Sequence, residues 1–484
     1  MPEGTVNQGI GASVRRKEDK RFLIGKGNYT DDINRAGQLH VYFLRSPVAF
    51  ADIVSIDKQK AEKASGVAAI LTGEDVAADG LGGPICGWAP TNKDGSAPSE
   101  PPHPILANGR VRYVGDHVAA VFAETLEQAM SAAELIDVTY SEMPAITDLK
   151  SAMDSPQIHD GMENNTYFDW ELGDEAATND AFDKAATIVN VDIRNNRVIP
   201  NAMEPRAAVA DYDTGDGRYT LFTTSQNPQL TRLVIGAFML NIPESKFRVV
   251  APDVGGGFGS KIYVYPEEAV CVWASKKLGR AVKWTADRTQ AFLGDAHGRD
   301  HISAVKLALD KNNRITGLRV DTLANLGAYL SAFAMVTPTY LHGTLLSGVY
   351  DIPAIYTNVK GICTNTVNVD AYRGAGRPEA TYLLERTMDV AAKQVGMDPA
   401  EFRRLNFIPK DAFPYQTAVA LQYDVGDYEP LLDRAMAMID YKNFEDRRAA
   451  SAKNGKCRGI GISTYIEACG IAPSAVVGAL GGRV

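Results

Sequence analysis

The most restrictive feature of the sequence is an eight-residue stretch, VGGGFGSK, at positions 254–261. It continues FRVVAPDV, whose β-branched and aromatic residues predict a strand. Consecutive glycines allow positive φ angles and let backbone N–H groups approach a ligand, because no Cβ intervenes. Ligand sites of α/β proteins also form at the carboxyl ends of strands. The stretch therefore predicts a phosphate-binding loop or, as the simpler alternative, a tight turn between strand and helix.

The spacing within this loop fails two common nucleotide-binding motifs. A P-loop requires G-x-x-x-x-G-K-[ST], but Ser260 precedes Lys261, and Ile262 stands where a hydroxyl should bind magnesium. The dinucleotide pattern G-x-G-x-x-G fails because the sixth position counted from Gly255 is Ser260. An unrelated nucleotide-binding enzyme stays an alternative that an ATP or NAD binding assay would decide.

Two further stretches carry groups suited to oxyanions. AYRGAGRPEA (371–380) places Arg373 and Arg377 before a predicted long helix. Arginine forms bidentate hydrogen bonds, and the helix N-terminus adds positive potential. TTSQNPQ (223–229) contains Gln226, which can both donate and accept, before an Asn–Pro pair typical of a helix start. Taken singly, each stretch is equally compatible with a solvated loop or a helix cap.

Composition narrows the class of protein. The chain has 484 residues, 45% apolar and 23% charged, which is typical of a soluble globular protein of about three domains. A net charge of −9 argues against nucleic-acid binding. No apolar run approaches the ~20 residues of a membrane span. The N-terminus lacks the apolar region of a secretory signal, so a cytoplasmic location is expected. The five cysteines form no C-x-x-C pair, so neither a disulfide framework nor a zinc or iron–sulfur site is expected.

Secondary-structure signals alternate along the chain. Residues 110–140 predict a strand–helix–strand unit, and the helix begins with a capping box of Thr125 and Gln128. Residues 82–105, rich in Pro, Gly and Ser, predict an exposed loop. Residues 458–468 predict a strand.

Seven stretches, taken in order, resemble the large, molybdenum-binding subunit of the molybdenum hydroxylases, the family of xanthine dehydrogenase, aldehyde oxidase and aerobic carbon monoxide dehydrogenase. The likeness runs over nearly the whole chain and is greatest to the carbon-monoxide-dehydrogenase-like class with an AYRGAGR loop. The stretches are GKGNYTDDI (25–33), RYVGDHVAAVFAET (112–125), AMEPRAAVA (202–210), TSQNPQ (224–229), VGGGFGSK (254–261), AYRGAGRPE (371–379) and VGMDPAEFRRLNFI (395–408).

The resemblance implies an α+β (mixed α/β) fold with five segments. They are an N-terminal arm (1–21), an a/b hammerhead-like domain (22–146), a linker (147–163), a first molybdenum-cofactor-binding domain (164–428) and the start of a second (429–484).

The resemblance also implies a molybdenum cofactor, expected as molybdopterin cytosine dinucleotide, whose metal is held by the pterin dithiolene and not by protein side chains. Gln226 would hydrogen-bond an oxo-type ligand of the metal, and Gln226 and Arg373 are the expected catalytic residues. The backbone of the glycine loop would meet the apical ligand and the pterin, and the Arg373 loop would line the metal and substrate face. The residues expected to bind the cofactor are Gln226, Gly256, Gly257, Phe258, Gly259, Arg373, Gly374, Ala375 and Gly376.

The implied reaction is oxidative hydroxylation of a small molecule with oxygen from water. Because this chain lacks iron–sulfur spacing and a flavin motif, the electrons would pass to a [2Fe–2S] small subunit and an FAD-binding medium subunit of a hetero-oligomer. A non-catalytic cofactor-binding or scaffold subunit is the alternative.

Three positions depart from the best-known substrate classes. Gly374 stands where the copper-containing carbon monoxide dehydrogenases carry a cysteine, and without a thiolate there is no soft ligand for Cu(I). Ile262 and Ala375 replace the glutamate and the aromatic residue of purine-oxidising relatives. An aldehyde or a neutral N-heterocycle is therefore the expected substrate, with activity like that of carbon monoxide dehydrogenase as an alternative.

The general base of the family is a glutamate in a G-x-G-E context, which this sequence does not contain. General base catalysis needs a positioned proton acceptor. Glu204, Glu379 and Glu467 lie nearest the family motifs, but nothing marks any of them as the base. Since large subunits of the family are longer, we expect this chain to be truncated or one half of a split subunit.

Overall fold

The computed structural model describes residue 9 and residues 12–468. The expected arm is therefore described only in part, and the C-terminal GALGGRV lies outside the described residues. The described chain is mixed α/β, as predicted. In that part of the chain, no helix is long and apolar enough to cross a membrane.

The strands group into four sheets. They are β1 Leu39–Arg45, β2 Ala51–Asp57, β3 Val67–Thr72, β4 Arg110–Val111, β5 His117–Ala123, β6 Asp137–Glu142, β7 Thr166–Gly173, β8 Thr187–Asn195, β9 Ala207–Asp213, β10 Arg218–Thr223, β11 Phe247–Val250, β12 Val282–Thr285, β13 His301–Leu309, β14 Ile315–Gly327, β15 Ile355–Cys363, β16 Tyr415–Gln416 and β17 Gln422–Tyr423.

The α-helices flank these sheets. They are α1 Asp19–Leu23, α2 Gln59–Glu62, α3 Gly73–Ala78, α4 Leu126–Ala133, α5 Leu149–Ala152, α6 Glu175–Asp183, α7 Pro228–Leu233, α8 Pro266–Lys277, α9 Arg288–Gly294, α10 Tyr340–Gly343, α11 Arg377–Gln394, α12 Pro399–Asn406, α13 Glu429–Met438 and α14 Phe444–Lys453. A π-helical segment, Val234–Met239, continues α7.

The largest sheet joins both sides of the expected linker. Its strand order is β11-β10-β9-β12-β1-β5-β3, and β1 runs parallel to β12 with Leu39 opposite Val282. Every residue of β5 is buried, because α4 covers one face of the sheet and α8 lies in the core on the other. This explains why β5 reads as a continuous apolar run instead of an alternating one.

The second sheet has the order β7-β15-β14-β13-β8 and is antiparallel except for β14 and β15. Helix α11 packs on one face, where Leu383 and Met388 join Leu307 and Leu318 in one apolar cluster. This packing places the N-terminus of α11, and the loop before it, beside the first sheet's loops.

The predicted helix starts are confirmed. Thr125 and Gln128 form the capping box through two bonds of 3.1 and 3.2 Å between side chain and backbone. Asn227 caps α7 by accepting from the Leu230 N–H. Helix α12 starts in the same way, with Asp398 as its cap just before Pro399. Each cap satisfies backbone N–H groups that the first turn of a helix leaves unpaired.

The exposure expected for the loop at residues 82–105 and the strand expected for residues 458–468 were both wrong. Residues 82–105 contain no helix or strand, but they are not simply exposed, since Cys86 and Ile105 are fully buried. The loop covers part of the core, and Gly87 donates to the carbonyl of Ala332. Residues 458–468 form no strand, because no described strand pairs with them. Instead, the N–H of Thr464 donates to Glu385, 2.7 Å away.

The segment expected to be a linker is itself packed. Leu149 and Ile158 are buried in an apolar cluster with residues of the second sheet. The segments on either side of the predicted domain boundaries therefore share a sheet and a core.

Candidate cofactor site

The glycine loop leaves the end of β11 in an unusual backbone conformation. Gly256, Phe258 and Gly259 have φ angles of +97°, +55° and +108°. Phe258 is a bulky residue in the left-handed region, and its side chain is 44% exposed. Such conformations are costly for residues other than glycine and concentrate at functional sites.

This conformation leaves backbone donors free. The N–H groups of Gly256, Gly257 and Phe258 donate to no residue that the structure describes. Successive free N–H groups in a loop that alternates hand form a concave binding site for anions and oxo groups. The loop therefore offers three donors to a ligand through its backbone.

Gln226 is fixed against the loop. Its Oε1 accepts from the N–H of Gly259 at 2.9 Å, and its own N–H donates to the carbonyl of Lys261 at 2.7 Å. A Cβ on Gly257 would collide with this Oε1, so glycine is required there for the close approach. With Oε1 engaged, the amide NH₂ of Gln226 has no partner among the described residues and is available to a ligand oxygen.

The AYRGAGR loop meets the glycine loop directly. The N–H of Arg373 donates to the carbonyl of Phe258 at 2.8 Å, and its guanidinium lies 5.9 Å from the centre of the Phe258 ring. Gly374, Ala375 and Gly376 all have positive φ angles, of +95°, +48° and +87°. Both loops thus hold one non-glycine residue in the left-handed region.

Arg299 and Asp370 secure the AYRGAGR loop from behind. Arg299 donates to the carbonyls of Tyr372 and Arg373 at 2.8 and 2.7 Å and to Glu379 at 3.2 Å. Asp370 accepts from Ser331 and from the N–H of Phe333, and burial raises the pKa of this carboxyl to about 7.

Lys261 points inward, away from any ligand. Its side chain is 1% exposed, and Nζ donates to the Glu204 carbonyl at 2.8 Å and to Glu204 Oε2 at 3.0 Å. Burial lowers the pKa of Lys261, and the neighbouring Glu204 carboxylate opposes that shift. The loop can therefore contact a phosphate through its backbone but not through this lysine.

A buried ionic cluster lies beneath the loop. Arg206 contacts Glu267 at 3.0 Å and Asp295 at 2.6 Å, and Arg45 reaches Glu267 at 2.6 Å. Burial alone would raise the pKa of Glu267, but Arg206, His117 and Arg45 hold that pKa well below its ordinary value.

Tyr265 connects this cluster to the loop. The Arg206 guanidinium lies 3.6 Å from the centre of the Tyr265 ring, and the Tyr265 hydroxyl donates to the Ser260 carbonyl at 2.6 Å. The glycine loop is therefore connected, through Tyr265, to the buried ionic cluster.

A cavity of about 760 Å³ opens beside Arg373 and Gly374. Tyr382, Tyr465 and Glu467 also line it. At the edge of this cavity, Glu467 forms an ion pair with Arg377, at a distance of 2.8 Å. Among the described residues, no group of three or more His, Cys, Asp or Glu side chains is placed to hold a metal ion.

The structure thus brings together most of the residues that the sequence singled out. Gln226, Gly257 and Gly259 meet in one contact, and Phe258 meets Arg373 in another. Gly376 differs, since it begins α11 and packs against the backbone of residues 337–342. The roles of all these residues toward a cofactor stay predictions.

Sequence reasoning missed the groups that support the loops. Arg299, Asp370 and Tyr265 belong to no recognisable motif, and Glu204 was noted only for its position near one. One signal was available for Arg299, which lies in the polar stretch HGRDH (297–301). Its contacts with residues 372–379 arise only in the folded chain.

Comparison with known families now identifies the class. The molybdopterin cofactor-binding domain family matches residues 158–407. The a/b hammerhead domain of aldehyde oxidase and xanthine dehydrogenase matches residues 24–144. The chain belongs to the molybdenum hydroxylase large-subunit family, the family of xanthine dehydrogenase and carbon monoxide dehydrogenase.

Individual relatives share both sequence and fold. The chain is 37% identical over 487 residues to the carbon monoxide dehydrogenase large chain of Hydrogenophaga pseudoflava, covering 96% of this chain and 59% of the relative. It is 32% identical over 471 residues to the nicotine 6-hydroxylase large subunit of Paenarthrobacter nicotinovorans, covering 95% and 56%. The solved structure of reconstituted CO dehydrogenase from Oligotropha carboxidovorans aligns with a TM-score of 0.86 at 32% identity, covering 93% of this chain and 57% of that one.

The chain therefore spans less than two thirds of the length of these relatives. A more distant relative is matched over its full extent. The nicotinate dehydrogenase large molybdopterin subunit of Eubacterium barkeri is 28% identical over 448 residues, which cover 92% of this chain and 100% of that subunit.

Proposed function

We propose that this chain is the cofactor-holding part of a molybdenum hydroxylase that converts an aldehyde or a neutral N-heterocycle to its hydroxylated product with oxygen from water. Electrons would pass to a [2Fe–2S] small subunit and an FAD-binding medium subunit in a cytoplasmic hetero-oligomer. The observation that carries the proposal is the set of three free N–H groups at 256–258, placed beside the free amide of Gln226.

We infer that the cofactor is a molybdopterin and propose its cytosine dinucleotide form. Such a cofactor presents oxo groups and phosphates, which backbone N–H groups of a concave loop bind well. The backbone of the glycine loop would hold it on one side and the Arg373 loop on the other. When bound, the cofactor supplies two-electron redox chemistry that no side chain of the protein can perform.

Residues of this chain would orient the bound cofactor. Gln226 holds its NH₂ group toward the ligand because the Gly259 N–H fixes its oxygen at 2.9 Å. The ring of Phe258 lies 5.9 Å from the Arg373 guanidinium, which brings the side chains of the two loops together. Glu204 pairs with Lys261 and Glu379 with Arg299, each through one carboxylate oxygen, and nothing in the described chain marks either residue as the general base.

The proposed substrate class follows from two side chains. Ile262 and Ala375 both pack against the apolar core cluster instead of offering a polar anchor or a stacking face. Gly374 provides no thiolate for copper. The relative that is a nicotine 6-hydroxylase supports an N-heterocycle, whereas the carbon monoxide dehydrogenase relatives keep carbon monoxide oxidation as the alternative.

The test is to purify the chain together with its coexpressed subunits and to measure molybdenum, pterin and acid-released cytidine monophosphate per polypeptide. One equivalent of each is expected. Turnover in H₂¹⁸O should then place the heavy isotope in product from an aldehyde or N-heterocycle. Absence of pterin from the folded complex, or turnover of xanthine or carbon monoxide at rates matching these substrates, would overturn the proposal.

A second candidate is a subunit that binds cofactor while another chain supplies the catalytic base. The full-length match to the nicotinate dehydrogenase large molybdopterin subunit favours it. A loaded but inactive chain that gains turnover when a second molybdopterin-family subunit is added would support this candidate. Turnover by the chain without that subunit would exclude it.

A further inference from the structure

We propose that Glu204 is the positioning residue that clamps both ends of the glycine loop, residues 254–261, and thereby holds Gln226 in register with it. The inference rests on the proposed function in assigning the cofactor to this loop. Glu204 touches neither Gln226 nor the free N–H groups, so it acts through other residues.

The contacts reach both ends of the loop. Glu204 Oε2 accepts from the N–H of Gly255 at 2.6 Å and from Lys261 Nζ at 3.0 Å. The Glu204 N–H donates to the Gly255 carbonyl at 3.2 Å, and the Glu204 carbonyl accepts from Lys261 Nζ at 2.8 Å. One residue outside the loop therefore binds its second residue and its last.

The clamp continues to Gln226. The carbonyl of Lys261 accepts from the Gln226 N–H at 2.7 Å, and Gln226 Oε1 accepts from the Gly259 N–H at 2.9 Å. The Glu204 carboxylate is therefore linked to Gln226 in two ways. Lys261 connects it to the Gln226 backbone, and the loop from Gly255 to Gly259 connects it to the Gln226 side chain.

Burial makes the loss of either partner of this ion pair costly. The side chain of Lys261 is 1% exposed and that of Glu204 is 14% exposed, so solvent screens their attraction little. Arg206 and Asp295 also act on the Lys261 charge, with opposite signs. Without the Glu204 carboxylate, the lysine must lose its proton or leave the interior, and Gly255 loses its acceptor.

The test compares Glu204→Gln with Glu244→Gln, a matched control whose side chain pairs near the surface with Arg232 alone among the described residues. Amide hydrogen exchange is measured in the purified complex after the cofactor has been removed. In E204Q, the loop amides of Gly259, Ser260 and Ile262 should exchange about tenfold faster or more, because a hydrogen bond to a charged group is lost. Amides of β13 and β14 should be unchanged, and E244Q should match the parent.

Two further variants keep the test decisive. Glu204→Asp retains the charge and is expected to recover most of the loop protection. If E204Q fails to fold, the double variant E204Q/K261M removes both buried charges and should fold with an unprotected loop. Unchanged exchange at 259–262 in the folded variants, or faster exchange spread evenly over the chain, would overturn the proposal.

Cofactor content gives an independent readout. In E204Q loaded by coexpression, pterin per polypeptide should fall about tenfold, with partial recovery in E204D. A loosened loop with no cofactor in any variant, parent included, would refute the proposed function but leave the clamp intact. Full loading of E204Q would overturn the clamp but leave the proposed function intact.

Discussion

At the scale of single residues, the backbone of Phe258 and Ala375 is the clearest sign of function. Both residues hold left-handed conformations, with φ angles of +55° and +48°, although neither is glycine. Such strain persists only where the surrounding structure imposes it. Here these conformations are held by the hydrogen bond from the Arg373 N–H to the Phe258 carbonyl. The hydrogen bonds from Arg299 to the carbonyls of residues 372 and 373 hold them as well.

Replacing Gln226 with Glu separates its two functions. A carboxylate oxygen can still accept from the Gly259 N–H, but the NH₂ donor toward the ligand is lost. We expect kcat per bound molybdenum to fall about 100-fold, as for removal of one oxyanion donor, while loading stays near that of the parent. An unchanged kcat would show that the amide does not face the reacting group.

Gly257→Ala tests the close approach of the loop to Gln226. Because the added Cβ would collide with Gln226 Oε1, we expect a loss of about 1–3 kcal/mol in the free energy of unfolding, together with lower pterin content. Denaturant titration measures the first effect. Gly459→Ala is the control, since its Cβ would meet nothing within 4 Å. Equal effects of the two substitutions would contradict the expectation.

At the scale of elements, helix α8 carries charge into the core. Glu267 is fully buried, yet it is ionised because three cationic or imidazole groups surround it. The sequence could not show that Glu267 meets Arg45 from β1 and Arg206 from the segment before β9. Those three positions are far apart in the chain and meet only when the large sheet forms.

We expect Glu267→Gln to destabilise the chain by about 3–5 kcal/mol, because Arg45 would keep a buried charge without a counter-ion among the described residues and Arg206 would keep only Asp295. The folded pKa of Glu267 lies below its unfolded value. Its contribution is therefore fully present above the unfolded pKa and is lost as pH falls toward the folded pKa. The stability difference between parent and E267Q should be constant near neutral pH and shrink below about pH 4.5. Urea titrations at several pH values would reveal a constant or growing difference if this is wrong.

A further prediction at the scale of elements concerns the stability that the N-terminal cap of α12 provides. Asp398 Oδ1 accepts from the N–H groups of Ala400 and Glu401 at 2.8 and 3.2 Å. Asp398→Ala should lower the free energy of unfolding by about 1 kcal/mol, and Asp398→Asn, which can still cap, by less. Equal losses in both variants, measured by thermal unfolding, would assign the effect to charge and not to capping.

At the scale of the whole molecule, β1 and β12 join the hammerhead region to the cofactor-binding region in one sheet. Leu39 and His40 of β1 lie opposite Val282 and Lys283 of β12. The hammerhead region and the cofactor-binding region therefore both contribute to the core that supports the loops of the candidate site.

We expect the two regions to unfold together. Calorimetry should show one transition, and hydrogen exchange should give β5 and β9 the same global protection. Two separate transitions, each assignable to one region, would show that the shared sheet does not couple them.

The sequence by itself determined those features of the fold and the site that depend on interactions between neighbouring residues. The helix caps, the glycine loop after a strand and the family-typical motifs are all short-range patterns, because capping, turn chemistry and backbone freedom act within a few residues. The tertiary structure alone decided which charges are buried, that Lys261 turns inward to Glu204, and that residues 458–468 pair with no described strand and contact Glu385 through Thr464. Desolvation, ion pairing and strand pairing depend on groups that are distant in sequence, so only the folded chain brings them together.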